Sequence, residues 1–334
     1  MFLNFHGLVV KISCVENSIL ERLAKDFSFF KVGEVDPSSI FLTVECFFSK
    51  YQGEKWKLPW KKSKNCSFTD FGNKRFYNYD GDLWGEVDFK NEQATFYSQN
   101  LNLLHEVTYL YLLSRIGKKL ELSGLYKIHA CSFSLKGKNF LFPMLMKGGK
   151  STLFLGSLSA GPFEILSDDA PLVTGQGKLL PFPLRVGLES KQEYPCYDSK
   201  EFYILERRRF GTKYLMDIAS FKNSVAKNTE LNSLFLFKSK RVDRPGCVIK
   251  KTNRLNLVLN LFINMVVGLG LPYAREFYLE HSVSDFFRLM KIGFGRLISS
   301  FLLLKSAQCF SIQLGNQPGM NAKALADFGS HDRW

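Results

Sequence analysis

The chain has 334 residues, 46% of them apolar, with 32 phenylalanines and a formal net charge of +14. That apolar and aromatic load excludes an intrinsically disordered chain, and the length sets an expectation of two or three domains. So basic a surface favours anionic partners, whether nucleotide, nucleic acid, acidic protein or anionic lipid, without choosing among them. Seven cysteines, an odd number with no Cys-x-x-Cys, argue against a zinc cluster or disulfide framework and for a reducing, cytoplasmic setting.

The opening, MFLNFHGLVVKISCVE, reads as a strand and not as a signal peptide, because it lacks a basic start and a small-residue cleavage site. LVVKISC and SIFLTVECFF alternate like strands, and NSILERLAKDFSFF between them has helical spacing with Asn17 as its cap. YQGEKWKLPWKKSKNCS (51–67) is polar, basic and turn-rich and reads as a loop or hairpin, after which GDLWGEVDFKNEQATFYS resumes short strands. Residues 1–98 are therefore expected as an α+β domain. A helix follows over 102–124, with Leu103, Val107, Leu110, Leu113 and Ile116 on its apolar face.

YKIHACSFSL then reads as a strand, KGKN as a tight turn and FLFPML as a second strand, which delivers the chain to MKGGKS. STLFLGSLSAG has helical spacing and closes on Gly161, and FEILSDDAPLV is an apolar strand ending in two acids. GGKS is the second half of a phosphate loop, although Met144 stands where G-x-x-x-x-G-K-[ST] has its first glycine. Gly148 and Gly149 supply flexible backbone for an anion. Lys150 can reach β and γ phosphates, Ser151 can hold Mg²⁺, and the helix N-terminus adds its dipole. Lys147 contributes a second positive charge. Asp168 and Asp169 stand where a carboxylate must face the metal; one can hold Mg²⁺ while the other takes a proton from an attacking hydroxyl. If both lie on the strand they point to opposite sides, which leaves the roles open. His129 is a candidate to contact the transferred phosphoryl group or assist the proton transfer. The bland alternative is a strand, a turn and a helix with a solvated lysine.

Beyond Lys178, LLPFPLRVGL is extended and punctuated by proline. Residues 200–255 are mixed and basic, and 255–305 are mostly helical. LNLVLNLFINMVVGLGLP (255–272) is shorter than the usual membrane span of about 20 residues. Asn256, Asn260 and Asn264 form one polar stripe, so this segment is expected as a buried helix with a satisfied polar seam. CFSIQLG (309–315) is expected as a final strand. KWKLPWKKSK, with Trp56 and Trp60, and FFRLMKIGFGRLISSFLLLK are basic runs that suit a nucleic-acid or membrane-surface binder. For each run the solvated-face reading outweighs that one.

Over about 123–190, the order of His-bearing strand (IHACSFSL), turn (KGKN), strand (FLFP), loop, helix and LSDD resembles the C-terminal domain of HPr kinase/phosphorylase and its PEP-carboxykinase-like relatives, including HPr kinase-related proteins. The resemblance implies a PEP-carboxykinase-like P-loop core, placed at 99–255. With the N-terminal α+β domain at 1–98 and a helical C-terminal region with a final strand at 256–334, packed on the core, the expected fold is α/β, α+β overall. It implies ATP and Mg²⁺ as cofactors. Lys147, Gly148, Gly149, Lys150, Ser151 and Thr152 bind the nucleotide, with Arg185 of PFPLR as a further contact. Ser151, Asp168 and Asp169 serve the metal, Asp168 and Asp169 the base position, and His129 lies near the transferred phosphate. Family loops resemble G-x-S-G-x-G-K-S; Met144, Met146 and Lys147 replace Gly, Ser and Gly here. The expected function is phosphoryl transfer to a hydroxyl of an unidentified protein or small molecule. The alternatives are a catalytically impaired nucleotide-binding regulatory or assembly protein, and a basic binder of nucleic acid or membrane surface. Peripheral membrane contact and a homo-oligomer stay open; nucleic acid ranks below them.

Overall fold

A computed structural model describes residues 1–53, 60–63, 65–189, 202–208, 211–221, 223–226 and 233–330. Among these the chain is mixed α/β, with several sheets, seven α-helices and no barrel. Trp56 lies outside the described residues; Trp60 is half-buried, its ring edge-on to Trp84 at 5.9 Å. The chain divides into two compact units, and neither is one continuous segment. Strands and helices are numbered along the chain.

The first unit comprises Met1–Ile116, Gly187–Ala219 and Tyr273–Glu280. Its main sheet has nine strands: β1 (Phe2–Phe5), β2 (Leu8–Cys14), β3 (Lys31–Val32), β4 (Ile40–Phe47), β5 (Lys61–Lys62), β6 (Ser67–Phe71), β7 (Lys74–Tyr79), β8 (Leu83–Asp88) and β9 (Gln93–Ser98). Their order is β3-β1-β2-β4-β9-β8-β7-β6-β5, parallel only at β2/β4 and β4/β9. Helix α1 (Asn17–Asp26) is capped one residue earlier than the sequence suggests. Glu16, in extended conformation, is the cap and accepts from the Ser18 N–H at 3.3 Å, so Asn17 is already helical. Helix α2 (Leu101–Leu122) contributes residues up to Ile116 to this unit.

The segment 273–280 belongs here because the sheet holds it. The fully buried Arg75 on β7 donates to Glu276 O at 2.9 Å and to Leu279 O at 2.6 Å, and Tyr77 Oη donates to Glu276 O at 2.6 Å. Phe277 then packs on Tyr77, Phe96 and Tyr111. Burial of this arginine is offset because the Asp70 carboxylate engages its Nε, two carbonyls engage its Nη1, and its guanidinium lies over the Phe68 and Phe89 rings.

The second unit comprises Gly117–Val186, Ser220–Pro272 and His281–Trp334. Its six-stranded sheet runs β13 (Glu164–Ser167), β11 (Ala130–Leu135), β12 (Lys138–Pro143), β19 (Leu234–Arg241), β21 (Gln308–Leu314), β20 (Val248–Lys251). Strands β12, β19 and β21 are parallel neighbours; β11 opposes both β12 and β13. Both faces are covered, which is why FLFP and LFLF are unbroken apolar runs and do not alternate. On one face Phe133, Phe140, Phe142, Phe237 and Phe310 form an aromatic layer, Phe328 of α7 (Pro318–Ser330) meets Phe140, Phe237 and Phe310 edge-on, and α3 (Lys150–Ala160) packs beside α7. On the other, Leu141 and Leu236 meet Leu257, Leu261 and Met265.

Two sequence expectations change here, and a third holds with an unexpected placement. YKIHACSFSL is two strands, not one: β10 (Leu125–Lys127) pairs with β14 (Leu172–Thr174), which pairs with β15 (Leu179–Leu180) in a separate small sheet. The break falls at Ile128–His129, whose amides bond to Pro171 O and Asn264 O. Strand β21 is the last strand among the described residues, as the sequence suggests. It is inserted between β19 and β20 and is followed by α7, so the C-terminal residues complete the core sheet. Residues 255–272 are α4 (Leu255–Leu261) and a π-helical turn (Phe262–Val267) with one face buried and the other, including Leu255, Leu259 and Phe262, exposed. No helix among the described residues is long and apolar enough to cross a membrane.

Candidate functional site

The sheet topology brings distant residues to one edge. Strand β12 ends at Pro143, just before the glycine loop. Strands β19 and β21, parallel to it, end at Arg241 and Leu314, which are register partners. Strand β13 runs in the same direction, since both β12 and β13 oppose β11, and it ends at Ser167 ahead of Asp168. Strand β11 runs the other way, so its start, preceded by His129, falls at this same edge. The carboxyl edge of parallel strands is where open α/β sheets place ligands.

The loop has an unusual form. Met144 is buried, while Leu145, Met146 and Lys147 are exposed. The Gly148 N–H donates to Leu145 O at 3.0 Å, closing a turn. The left-handed residues are Lys147 (φ +63°) and Gly149 (φ +90°), not Gly148. Gly148 is required for a different reason: a Cβ there would lie 2.9 Å from Leu145 O. Gly149 caps α3, whose first amides face the loop. Gly149→Ala meets no clash, its nearest neighbour being Arg241 Cδ at 3.6 Å, so it should cost only the left-handed penalty of roughly 1–2 kcal/mol. Lys147→Gly should be neutral or slightly stabilising. Denaturant melts of both variants test the sign.

Five residues from three places in the chain converge: the start of α3, the bend after β13 and the residue before β11. Ser151 Oγ donates to Asp168 Oδ2 at 3.0 Å. Asp169 Oδ1 lies 3.2 Å from His129 Nε2 and 3.9 Å from Lys150 Nζ. Lys150 Nζ also donates to Met144 O (3.1 Å) and Leu145 O (3.3 Å). Both aspartates follow β13 in a bend, so strand alternation does not separate them and both side chains reach the same constellation. Asp168 is buried, whereas the Asp169 side chain is 42% exposed. His129 is buried against Gly270, where a Cβ would sit 2.2 Å from its Cε1; that position also has φ +90°, so only glycine fits.

Thr152 lines a small open cavity of about 30 Å³ beside Gly148 and Gly149, together with Arg241, Gly315 and Asn321. Arg185, half-buried just before β16 (Val186–Leu188), does not line it. Sequence reasoning missed Arg241, whose side chain crosses Gly149, because it lies 92 positions beyond that glycine in a run that reads as a solvated basic face. It also missed what the asparagine stripe does. Asn260 Nδ2 donates to Pro143 O at 3.3 Å, and Asn264 O accepts from the His129 N–H at 3.0 Å, so one helical segment steadies both the loop and the histidine. A third omission is Lys127 on β10, fully buried against the Phe182 ring at 4.5 Å. Burial pushes its ammonium pKa down to about 7, against attraction from Glu121 and Asp169.

Among the described residues no group of three or more His, Cys, Asp or Glu is arranged to hold a metal alone. Ser151 Oγ and Asp168 Oδ2 form a pair of hard oxygens, the donor type that Mg²⁺ takes when phosphate and water complete its shell. No protein-family model matches this sequence, and no curated protein matches it as a relative.

Proposed function

We propose that the second unit is a variant phosphate-loop module of PEP-carboxykinase-like fold that binds Mg-ATP and transfers a phosphoryl group to a hydroxyl of a protein or small molecule. The observation that carries this reading is the convergence of Ser151–Asp168 and His129–Asp169–Lys150 at the start of one helix. Mg-ATP would supply the phosphoryl donor and a cation to offset its charge. Ser151 and Asp168 are the residues to hold that cation. Lys150 and the α3 amides bind phosphate oxygens, and Lys147 adds long-range attraction. Asp169 is left for the proton. It is the more exposed of the pair and faces His129, which can share the proton that an acceptor hydroxyl gives up.

A second reading has its own support. Lys150 is bonded to two carbonyls of its own loop, and Met144 fills the place of the missing glycine. A loop folded on itself in this way suits a nucleotide-binding regulator with little turnover.

Thermal melting tests the shared premise. Nucleotide that binds only the folded chain stabilises it by about 2.7 kcal/mol at a hundredfold excess over Kd. For a chain of this size that is several degrees, at roughly 2–4 °C per kcal/mol. Lys150→Met keeps the bulk and removes the charge, so it should fold normally and lose most of the shift. No shift for the unmodified chain at millimolar Mg-ATP, or an equal shift for Lys150→Met, would defeat both readings.

A further inference from the structure

Helix α6 (Val283–Ser306) is turned inside out relative to an ordinary surface helix. Phe286, Phe287, Met290, Phe294, Leu297 and Phe301 recur at helical spacing and are 47–67% exposed. Two of its charged residues face inward: Asp285 is buried in an ion pair with Lys118, and Arg296 is buried with two hydrogen bonds to Glu121 at 2.6 and 3.0 Å. These buried pairs fix the rotation of the helix, because turning it would strand Lys118 and Glu121 without their partners. The apolar face is therefore held outward. Helix α4, which packs against α6, adds exposed Leu255 and Leu259. Contiguous apolar surface of this kind marks an interaction site.

Charge selects the occupant. The exposed charges of α6 are all cationic, namely Arg288, Lys291 and Lys305, and its one acid is the buried Asp285. Lys250, Lys251 and Arg254 lead into α4 with the same sign and are also exposed. A second copy of the chain would bring cation against cation across a two-fold contact, with no exposed acid on the helix to relieve it. We propose that this face docks on an anionic lipid membrane. The helix lies in the headgroup layer, its phenylalanines reach the acyl boundary, and Arg288, Lys291 and Lys305 contact lipid phosphates. This does not depend on the phosphoryl-transfer reading.

Vesicle flotation of the full chain tests it. The chain should float with phosphatidylcholine vesicles containing roughly a third phosphatidylglycerol, lose most binding at high salt, and ignore pure phosphatidylcholine. The combined Phe287→Ser, Phe294→Ser and Phe301→Ser variant should bind at least about tenfold more weakly. The pair Arg288→Glu and Lys291→Glu should lose binding too, both variants keeping the parental melting temperature. Three results would overturn the proposal: no flotation with anionic vesicles, flotation that survives both variants, or a dimer in sedimentation that the serine variant converts to monomer.

Discussion

Asp169→Asn should leave Mg-ATP binding intact and slow turnover by about 10²–10⁴-fold, the usual contribution of a positioned general base. The amide has the size of the carboxylate and keeps a hydrogen-bonding oxygen near His129 Nε2, which now stands 3.2 Å from Oδ1. It cannot take a proton. Asp168→Asn should act differently, because Asp168 is the acid bonded to Ser151. Its effect should appear as a raised Mg²⁺ requirement, recovered in part by excess metal. ADP release, with water as the acceptor hydroxyl, followed across a magnesium series separates the two. Equal turnover in Asp169→Asn and the parent would remove Asp169 from the chemistry. Loss of the Mg-ATP melting shift along with turnover would make it a binding residue. A parent chain that binds nucleotide and releases no ADP would favour the regulatory reading.

Lys127→Met should stabilise the fold at and below neutral pH by on the order of 4 kcal/mol, and the gain should shrink as pH rises towards 10. Burial is the cause: the folded chain holds this amine at about 7, against 10.5 for an unperturbed lysine, so between those limits the unfolded chain binds the extra proton. Stability contributed by this group therefore rises with pH through that window, and its full penalty is present below it. Glu121 and Asp169 pull the pKa up and Arg296 pushes it down, while the Phe182 ring offers only a cation–π contact. Buried thiols such as Cys66, pushed up to about 12, act in the opposite sense at alkaline pH, because the unfolded chain ionises first. The difference between parent and variant isolates the lysine. Denaturant melts from pH 6 to pH 10 measure it; a pH-independent difference would mean that the burial of Lys127 does not shift its titration on folding.

Local pattern carried the loop and its flanks. The polar run KGKN followed by the apolar run FLFP specifies a turn into β12, and the helical spacing of STLFLGSLSAG marks α3, which begins one residue earlier at Lys150 after left-handed Gly149. The same pattern is silent where one strand changes partner. Nothing in YKIHACSFSL marks the switch at His129, since the amides of Ile128, His129 and Ala130 are claimed by Pro171, Asn264 and Asp169 from elsewhere in the chain. The outward apolar face of α6 escapes the sequence for a related reason. Spacing reveals a stripe, but its direction is decided by Glu121 and Lys118, which bind the opposite side.

The order of residues sets most of the elements and the chemistry available at the loop: glycines for backbone conformations, a lysine, a hydroxyl and two acids within about 25 residues. Those are local properties, governed by φ and ψ preferences and side-chain type. Long-range packing lays β19 and β21 parallel to β12, which brings Arg241 and Gly315 to the loop, and joins Glu276 to Arg75 across 201 positions. It likewise separated the two acids, sending Asp168 to Ser151 and Asp169 to His129. Such pairings are chosen by burial and by satisfaction of polar groups summed over the whole unit, and no short stretch of chain contains that sum.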